Sequence, residues 1–253
     1  MSGHSKWSQI KRQKGVADAR RGQLFTKLAK EITVAAREAG GNPDTNFRLR
    51  MAVQRARDSN MPLDNIERAI KRASASEGGQ GTELVETIYE GYAPGGAAIM
   101  LQVLTDNKNR TVSDVRSVFS RSQGSLGESG CVAWNFEPKG LIAVDTSKEE
   151  AEKIALLTID AGAEDVKLYD NSIDIYTKLS DLERVRQALE GRGVTISSAE
   201  ASMVPKTVVT LDEKAAMQTL RLMDKLEELD DVQRVYTNAD FPEEVLASYR
   251  AQA

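Results

Sequence analysis

Few residues in this chain are placed to do covalent chemistry. His4 is the only histidine among 253 residues, so Ser-His-Asp and Cys-His arrangements are implausible. Cys131 is the only cysteine. It can form no intramolecular disulfide, which fits a reducing compartment, and with one histidine it cannot complete a typical zinc site. The glycine-rich stretch Gly91-Tyr-Ala-Pro-Gly-Gly96 lacks the terminal Lys-Ser/Thr of a phosphate-binding P-loop and reads as a strand-to-strand turn. The acidic run Glu227-Glu228-Leu229-Asp230-Asp231 has no visible base partner and reads as a solvated helix end. A metal-dependent carboxylate pair is the one catalytic arrangement that spacing leaves open. The expectation is a protein that binds rather than an enzyme, with no catalytic residue, no metal and no cofactor.

Charge points to what it binds. Residues 1–75 hold 16 Lys and Arg against 7 Asp and Glu, a net of +9, whereas residues 76–253 hold 18 against 31, a net of −13. The overall pI of about 5.3 conceals this division. Such asymmetry marks a nucleic-acid-facing part joined to a solubilising or partner-facing part. Within residues 1–30 a single acid, Asp18, faces eight basic residues, too few to neutralise them internally. Phosphate contacts are therefore expected from Lys6, Lys11, Arg12, Lys14, Arg20, Arg21 and Lys27. Trp7 either stacks on a base or closes a small helical core. No zinc-finger spacing or recognition-helix pattern is present, so sequence-specific base readout is not expected.

The elements that position these groups follow from periodicity. Leu24, Phe25, Leu28, Ala29 and Ile32 recur at helical spacing until Gly40-Gly41 and Pro43. Leu49, Ala52, Val53 and Ala56 form a second apolar stripe, flanked by Arg48 and Arg55 on one side and Arg50 and Arg57 on the other. These four arginines join the expected nucleic-acid contacts, their stems on the core edge and their guanidinium groups toward a partner. A third helix opens near Pro62 with Ile66, Ala69, Ile70 and Ala73 inward and Arg68, Lys71 and Arg72 outward. Ser74–Thr82 has linker composition.

Strands then alternate with helices. Leu84–Gly91, Ala97–Thr105 and Cys131–Phe136 read as strands, with a helix from Thr111 to Arg121 begun by the Thr111-x-x-Asp114 signal. Asp106-Asn107-Lys108-Asn-Arg110-Thr111 is a polar strand-to-helix junction. Its backbone N–H groups with Asn107, Lys108 or Arg110 either hold a phosphate or serve an ordinary cap. From Gly140 two strand-helix-strand units follow in series: Leu141–Val144, a helix after Ser147-x-x-Glu150, Asp165–Tyr169; then Ser172–Tyr176, a helix after Ser180-x-x-Glu183, Val194–Ala199. That pattern suggests a ferredoxin-like βαββαβ domain. Lys206–Leu211, a helix Asp212–Leu229 and Val232–Tyr236 predict a further βαβ. The expected class is α+β in three domains: a basic three-helix domain at 1–77, a discontinuous α/β domain at 78–137 and 205–240, and a ferredoxin-like insert at 138–204. Met1–Lys14 has no apolar run behind its charges, and no stretch reaches the roughly 20 apolar residues of a membrane span. The expectation is a cytoplasmic protein with no membrane partner.

Several long motifs resemble the YebC/PmpR family. They are Met-Ser-Gly-His-Ser-Lys-Trp-Ser-Gln-Ile-Lys-Arg-Gln-Lys at 1–14, Ala17-Asp18 through Lys27, and Asp44 through Pro62. Glu90-Gly-Tyr-Ala-Pro-Gly-Gly96, Thr105 through Thr111 and Gly124-Ser-Leu-Gly127 follow in order, so the resemblance spans essentially the whole chain. It implies the same three-domain plan. The family holds bacterial DNA-binding transcriptional regulators and mitochondrial translational activators of cytochrome oxidase subunit synthesis. The resemblance thus implies a DNA-binding transcriptional regulator, with a ribosomal-RNA-binding translation factor as the alternative and a protein partner for the acidic α/β half. A small-molecule sensor ranks lower, because fold alone supports it.

Overall fold

The computed structural model describes residues 18–75, 84–169 and 171–252. Lys6, Trp7, Lys11, Arg12 and Lys14 lie outside the described residues, as does the expected linker from residue 76. The described residues divide into two compact units, one drawn from residues 18–136 with 205–252 and one from residues 137–204.

In the first unit, α1 (Asp18–Ala39), α2 (Phe47–Asp58) and α3 (Leu63–Ala75) pack through Leu28, Ile32, Leu49, Val53, Ile66 and Ala69. Gly40, at φ +89°, ends α1 in the left-handed conformation that glycine tolerates. Asn46 then joins the two helices. Its Oδ1 accepts from the Leu49 N–H, and its amide donates to the carbonyls of Ala35 (2.7 Å) and Gly40 (2.8 Å).

The same unit holds a four-stranded sheet in the order β3-β1-β2-β9, formed by β1 (Val85–Tyr92), β2 (Ala98–Thr105), β3 (Ser125–Leu126) and β9 (Val232–Thr237). Ile99, Leu101 and Val103 of β2 pack on Val115 and Phe119 of α4 (Lys108–Arg121) and on Leu220 and Met223 of α7 (Glu213–Glu227). Pairing of β9 with β2 joins the chain before the insert to the chain after it. A Cβ on Gly91 would stand 2.5 Å from the Ser125 carbonyl and 2.9 Å from the Phe119 ring, so β3 closes on β1 only over glycine.

The second unit is a sheet in the order β5-β6-β4-β7, from β4 (Phe136–Asp145), β5 (Asp165–Tyr169), β6 (Ser172–Thr177) and β7 (Ser198–Pro205), with α5 (Lys148–Ala161) and α6 (Leu182–Glu190). β6 lies antiparallel to both β4 and β5, which is the split βαβ of a ferredoxin-like fold. Ser147 caps α5, as its spacing to Glu150 predicts. The fold class is α+β as expected.

Five expected elements are corrected. The helix assigned to start at Thr111 begins at Lys108 under an Asn107 cap, and Thr111 is buried within it. Cys131–Phe136 is not a strand: residues 131–132 turn and Ala133–Asn135 form one 3₁₀ turn. The buried Glu90 carboxylate causes this by accepting the N–H groups of Gly130, Val132 and Ala133, which a ladder would have used. Burial would raise the Glu90 pKa, but those three donors bring it below the usual carboxylate range. Ser180 lies in the 3₁₀ turn Leu179–Asp181, and α6 starts at Leu182 without a side-chain cap. The strand placed at 194–199 begins at Ser198, because Gly193 and Val194 N–H groups close the end of α6 on Glu190 and Leu189. Finally, β8 (Val209–Thr210) and β9 are not one βαβ unit, since β8 pairs in parallel with β10 (Ala239–Asp240). Asn135 holds Thr207 through its N–H, hydroxyl and carbonyl, and Asn238 donates to the same carbonyl, which fixes β8 there. The chain ends in α8 (Glu243–Gln252) among the described residues.

Replacing Asn46 by Ala removes a cap and leaves the buried Ala35 carbonyl and the partly buried Gly40 carbonyl short of a donor. Urea denaturation is expected to show a loss of about 2–4 kcal/mol with an unchanged m-value.

Candidate nucleic-acid interface

A groove of about 590 Å³ lies between α1 and α3 in the first unit, bounded also by Leu84 and Asp106. Phe25, Ala29, Met61 and Ala69 give it an apolar floor, and Lys30, Arg37, Arg68 and Arg72 line it with cations. Helical spacing produces this lining, since Phe25, Ala29, Thr33 and Arg37 succeed one another at i, i+4 on α1, and Asn65, Arg68 and Arg72 at i, i+3 and then i+4 on α3. The Thr33 hydroxyl bonds the carbonyls of Ala29 and Ala69 and fixes one helix against the other. Asn65 Oδ1 and the Asp64 carbonyl orient the Arg68 guanidinium. The groove sets cations above apolar surface, which suits a phosphate-bearing ligand.

Several cations named from the sequence do other work in the structure. Arg48 pairs with Glu38 and Glu86, both at 2.6 Å, and Arg55 pairs with Glu31 at 2.8 Å. Arg50 lies 5.8 Å from the Phe47 ring centroid, and Arg57 is exposed in the last turn of α2. Lys27 donates to the Glu227 carbonyl. Arg21 is exposed on α1, and of Arg20 only the backbone is described. Lys71 approaches Glu67 at 3.9 Å. Conversely, Lys30 and Arg37 escaped sequence reasoning. Their place beside α3 was hidden, although the i+7 step from Lys30 to Arg37 along one helix face was legible.

The junction at 105–111 is built around Asp231. One of its oxygens takes hydrogen bonds from Thr111 (2.8 Å), Arg110 (2.8 Å) and Thr105 (3.1 Å), and the other from Lys30 of α1 (2.9 Å). Burial of Asp231 works against its charge, yet the bonds from Arg110, Lys30 and Thr111 prevail and hold its carboxyl far below the ordinary range. Asn107 Oδ1 accepts from the Arg110 N–H, so it serves as a cap, and Arg110 also pairs with Asp106. Lys108 is exposed, its carbonyl accepting from the Tyr89 hydroxyl. A second cavity of about 540 Å³ here is lined by Asp106, Asp114, Glu228, Asp230 and Asp231 against Lys30 and Arg110. The two concavities thus meet at Lys30, one cationic and the other acidic.

No group of three or more His, Cys, Asp or Glu among the described residues is arranged to hold a metal ion. Burial first, and then the Glu90 carboxylate, push the Cys131 thiol upward, away from a reactive thiolate. No described helix is long and apolar enough to cross a membrane.

Two family models match the chain. The TACO1/YebC protein N-terminal domain covers residues 5–76, and the TACO1/YebC second and third domain covers residues 84–239. Similar proteins include a probable transcriptional regulatory protein of Dehalococcoides mccartyi, 56% identical over the whole of both chains. Another from Desulfosudis oleivorans is 53% identical over 97% of this chain and 99% of its own. Among solved structures, a conserved hypothetical protein from Aquifex aeolicus matches with a TM-score of 0.81 and 47% identity, over 90% of this chain and 94% of that one.

The depressed Asp231 carboxyl fixes the sign of an acid dependence. Its stabilisation is complete above the unfolded value near pH 4 and is lost as pH falls below that toward the folded value. Asp231→Asn is expected to cost about 2–4 kcal/mol at pH 7, and progressively less at lower pH. Denaturation curves of both proteins between pH 2 and 7 check this, and a difference that does not shrink with acidification would refute it.

Proposed function

Because the chain belongs to the TACO1/YebC family, whose similar members are named as transcriptional regulatory proteins, we propose that it regulates gene expression by binding DNA. It acts through phosphate contacts and performs no chemistry on its partner. The observation that carries this is the cationic lining of the α1–α3 groove by Arg37, Arg68 and Arg72. The basic residues Lys6, Lys11, Arg12 and Lys14 supply further phosphate contacts from the same end of the chain. Division of labour follows the charge: 1–77 holds the nucleic acid, while 78–137 with 205–240, and the insert 138–204, face solvent or a protein partner. Such action belongs in the cytoplasm.

A second reading, a ribosomal-RNA-binding translation factor, draws support from the fate of the α2 arginines. With Arg48 and Arg55 held by Glu38, Glu86 and Glu31, α2 is poorly suited to present a row of side chains to base edges. A surface that grips phosphates over a shaped groove suits a folded RNA as well as it suits a duplex.

Arg37, Arg68 and Arg72 changed together to Ala should weaken binding about equally across sequences and flatten the dependence of log K on log salt by about 2–3 units. An unchanged slope would remove the groove from the interface. Lys11, Arg12 and Lys14 changed to Ala test the preceding segment in the same assay. Ultraviolet crosslinking in cells, with DNA and RNA recovered from one sample, separates the partners. Enrichment at a few promoters supports transcriptional control; dominant crosslinks to ribosomal RNA replace it with translational control.

A further inference from the structure

Away from the groove, two exposed aromatic side chains meet at one braced point of the first unit, Trp134 on the 3₁₀ turn Ala133–Asn135 and Tyr92 at the end of β1. Trp134 is 66% exposed and Tyr92 37% exposed. The Trp134 indole N–H and the Tyr92 hydroxyl both donate to the Cys131 carbonyl, each at 3.0 Å. Both polar edges are therefore satisfied at one point, and what remains for a ligand is the flat faces of the rings. The backbone beneath cannot readily yield. Glu90, buried and ionised, takes N–H groups of Gly130, Val132 and Ala133, and Asn135 is tied to Thr207 by three hydrogen bonds. Lys206 donates to the Trp134 backbone carbonyl at 3.1 Å, leaving two ammonium protons that can meet an anion at the same turn. An exposed tryptophan costs solubility unless it is covered, and a rigid aromatic with satisfied edges binds at little entropic cost.

We propose that Trp134 and Tyr92 form a stacking platform for unpaired nucleobases, with Lys206 at the adjoining phosphate. The ligand at this site is single-stranded or looped nucleic acid rather than intact duplex, because paired bases keep their faces against one another. This rests on the nucleic-acid reading above and adds to it the strandedness of the partner. The acidic Glu128 nearby restricts phosphate contact to the Lys206 side, so stacking, not charge, carries the affinity here.

The chain has two tryptophans, Trp7 and Trp134, so Trp7→Phe makes Trp134 the only indole emitter. Labelled 12-nucleotide single strands of RNA and DNA, and the duplex of the same sequence, are titrated into this protein and into the wild type. Single strands should quench Trp134 emission and the duplex should not. Trp134→Ala should weaken single-strand binding about 5- to 100-fold, with duplex binding unchanged and Trp134→Phe retaining most of the affinity. Its melting temperature should stay near that of the parent, as expected for an exposed side chain. Binding without quenching, or an equal effect of Trp134→Ala on single strand and duplex, overturns the platform and leaves the phosphate reading intact. Loss of a co-purified protein partner from Trp134→Ala, with oligonucleotide affinity unchanged, overturns it in favour of a protein-docking surface. Failure of the wild type to bind any of the oligonucleotides overturns the nucleic-acid reading and this one together.

Discussion

Much of the first unit hangs on a carboxylate that is almost wholly removed from water. Asp231 closes the connection from α7 to β9 and would be strongly unfavourable there alone. It is tolerated because β2, α4 and α1 each bring it a donor: Thr105, then Arg110 and Thr111, then Lys30. Each of those residues is fixed in turn. Thr105 caps the turn by accepting the Asn107 N–H, and Thr111 reaches back to the Asn107 carbonyl. Removing the charge therefore disturbs the start of a helix, the end of a strand and the seat of α1 together. Such a network acts as a unit, more than as a sum of pairs.

Carboxylates of the first unit also fix where several of its cations sit. Glu31 holds Arg55 from within the helical part and Arg234 from β9 at 3.1 Å, while Glu86 of β1 holds Arg48. Acidic residues are few in 1–75, and Glu31 and Glu38 are already taken. On the α1–α3 side, Arg37, Arg68 and Arg72 line the groove. A net charge of a segment says how much is left over; only packing says where.

The sequence was legible where one period dominates. The apolar stripes of α1, α2 and α3 emerge from spacing alone, and so does the βαββαβ order of the insert, whose Ser147 caps α5 as its spacing to Glu150 implies. It misled where a side chain from far along the chain supplies the deciding hydrogen bonds. Cys131–Phe136 has apolar and aromatic residues enough for a strand, but Glu90, about 40 residues earlier, claims its N–H groups. Thr111 has the residue type of a helix start, yet Asn107 reaches the Arg110 N–H first and Thr111 turns inward to Asp231. Flanking arginines of α2 satisfied every local criterion for phosphate contact, and nothing local could reveal Glu86 across from Arg48.

Two kinds of surface result, and they would read different things. Guanidinium groups over an apolar floor answer to charge density and to the width of what enters, with steep sensitivity to salt and little to sequence. Aromatic faces whose hydrogen-bonding edges are already occupied answer to flat rings, with weak sensitivity to salt and no fixed donor–acceptor code. Neither surface is equipped to distinguish one base from another by its edges. On the proposed reading, selectivity comes from the shape and strandedness of the partner, or from a second macromolecule at the acidic part of the chain.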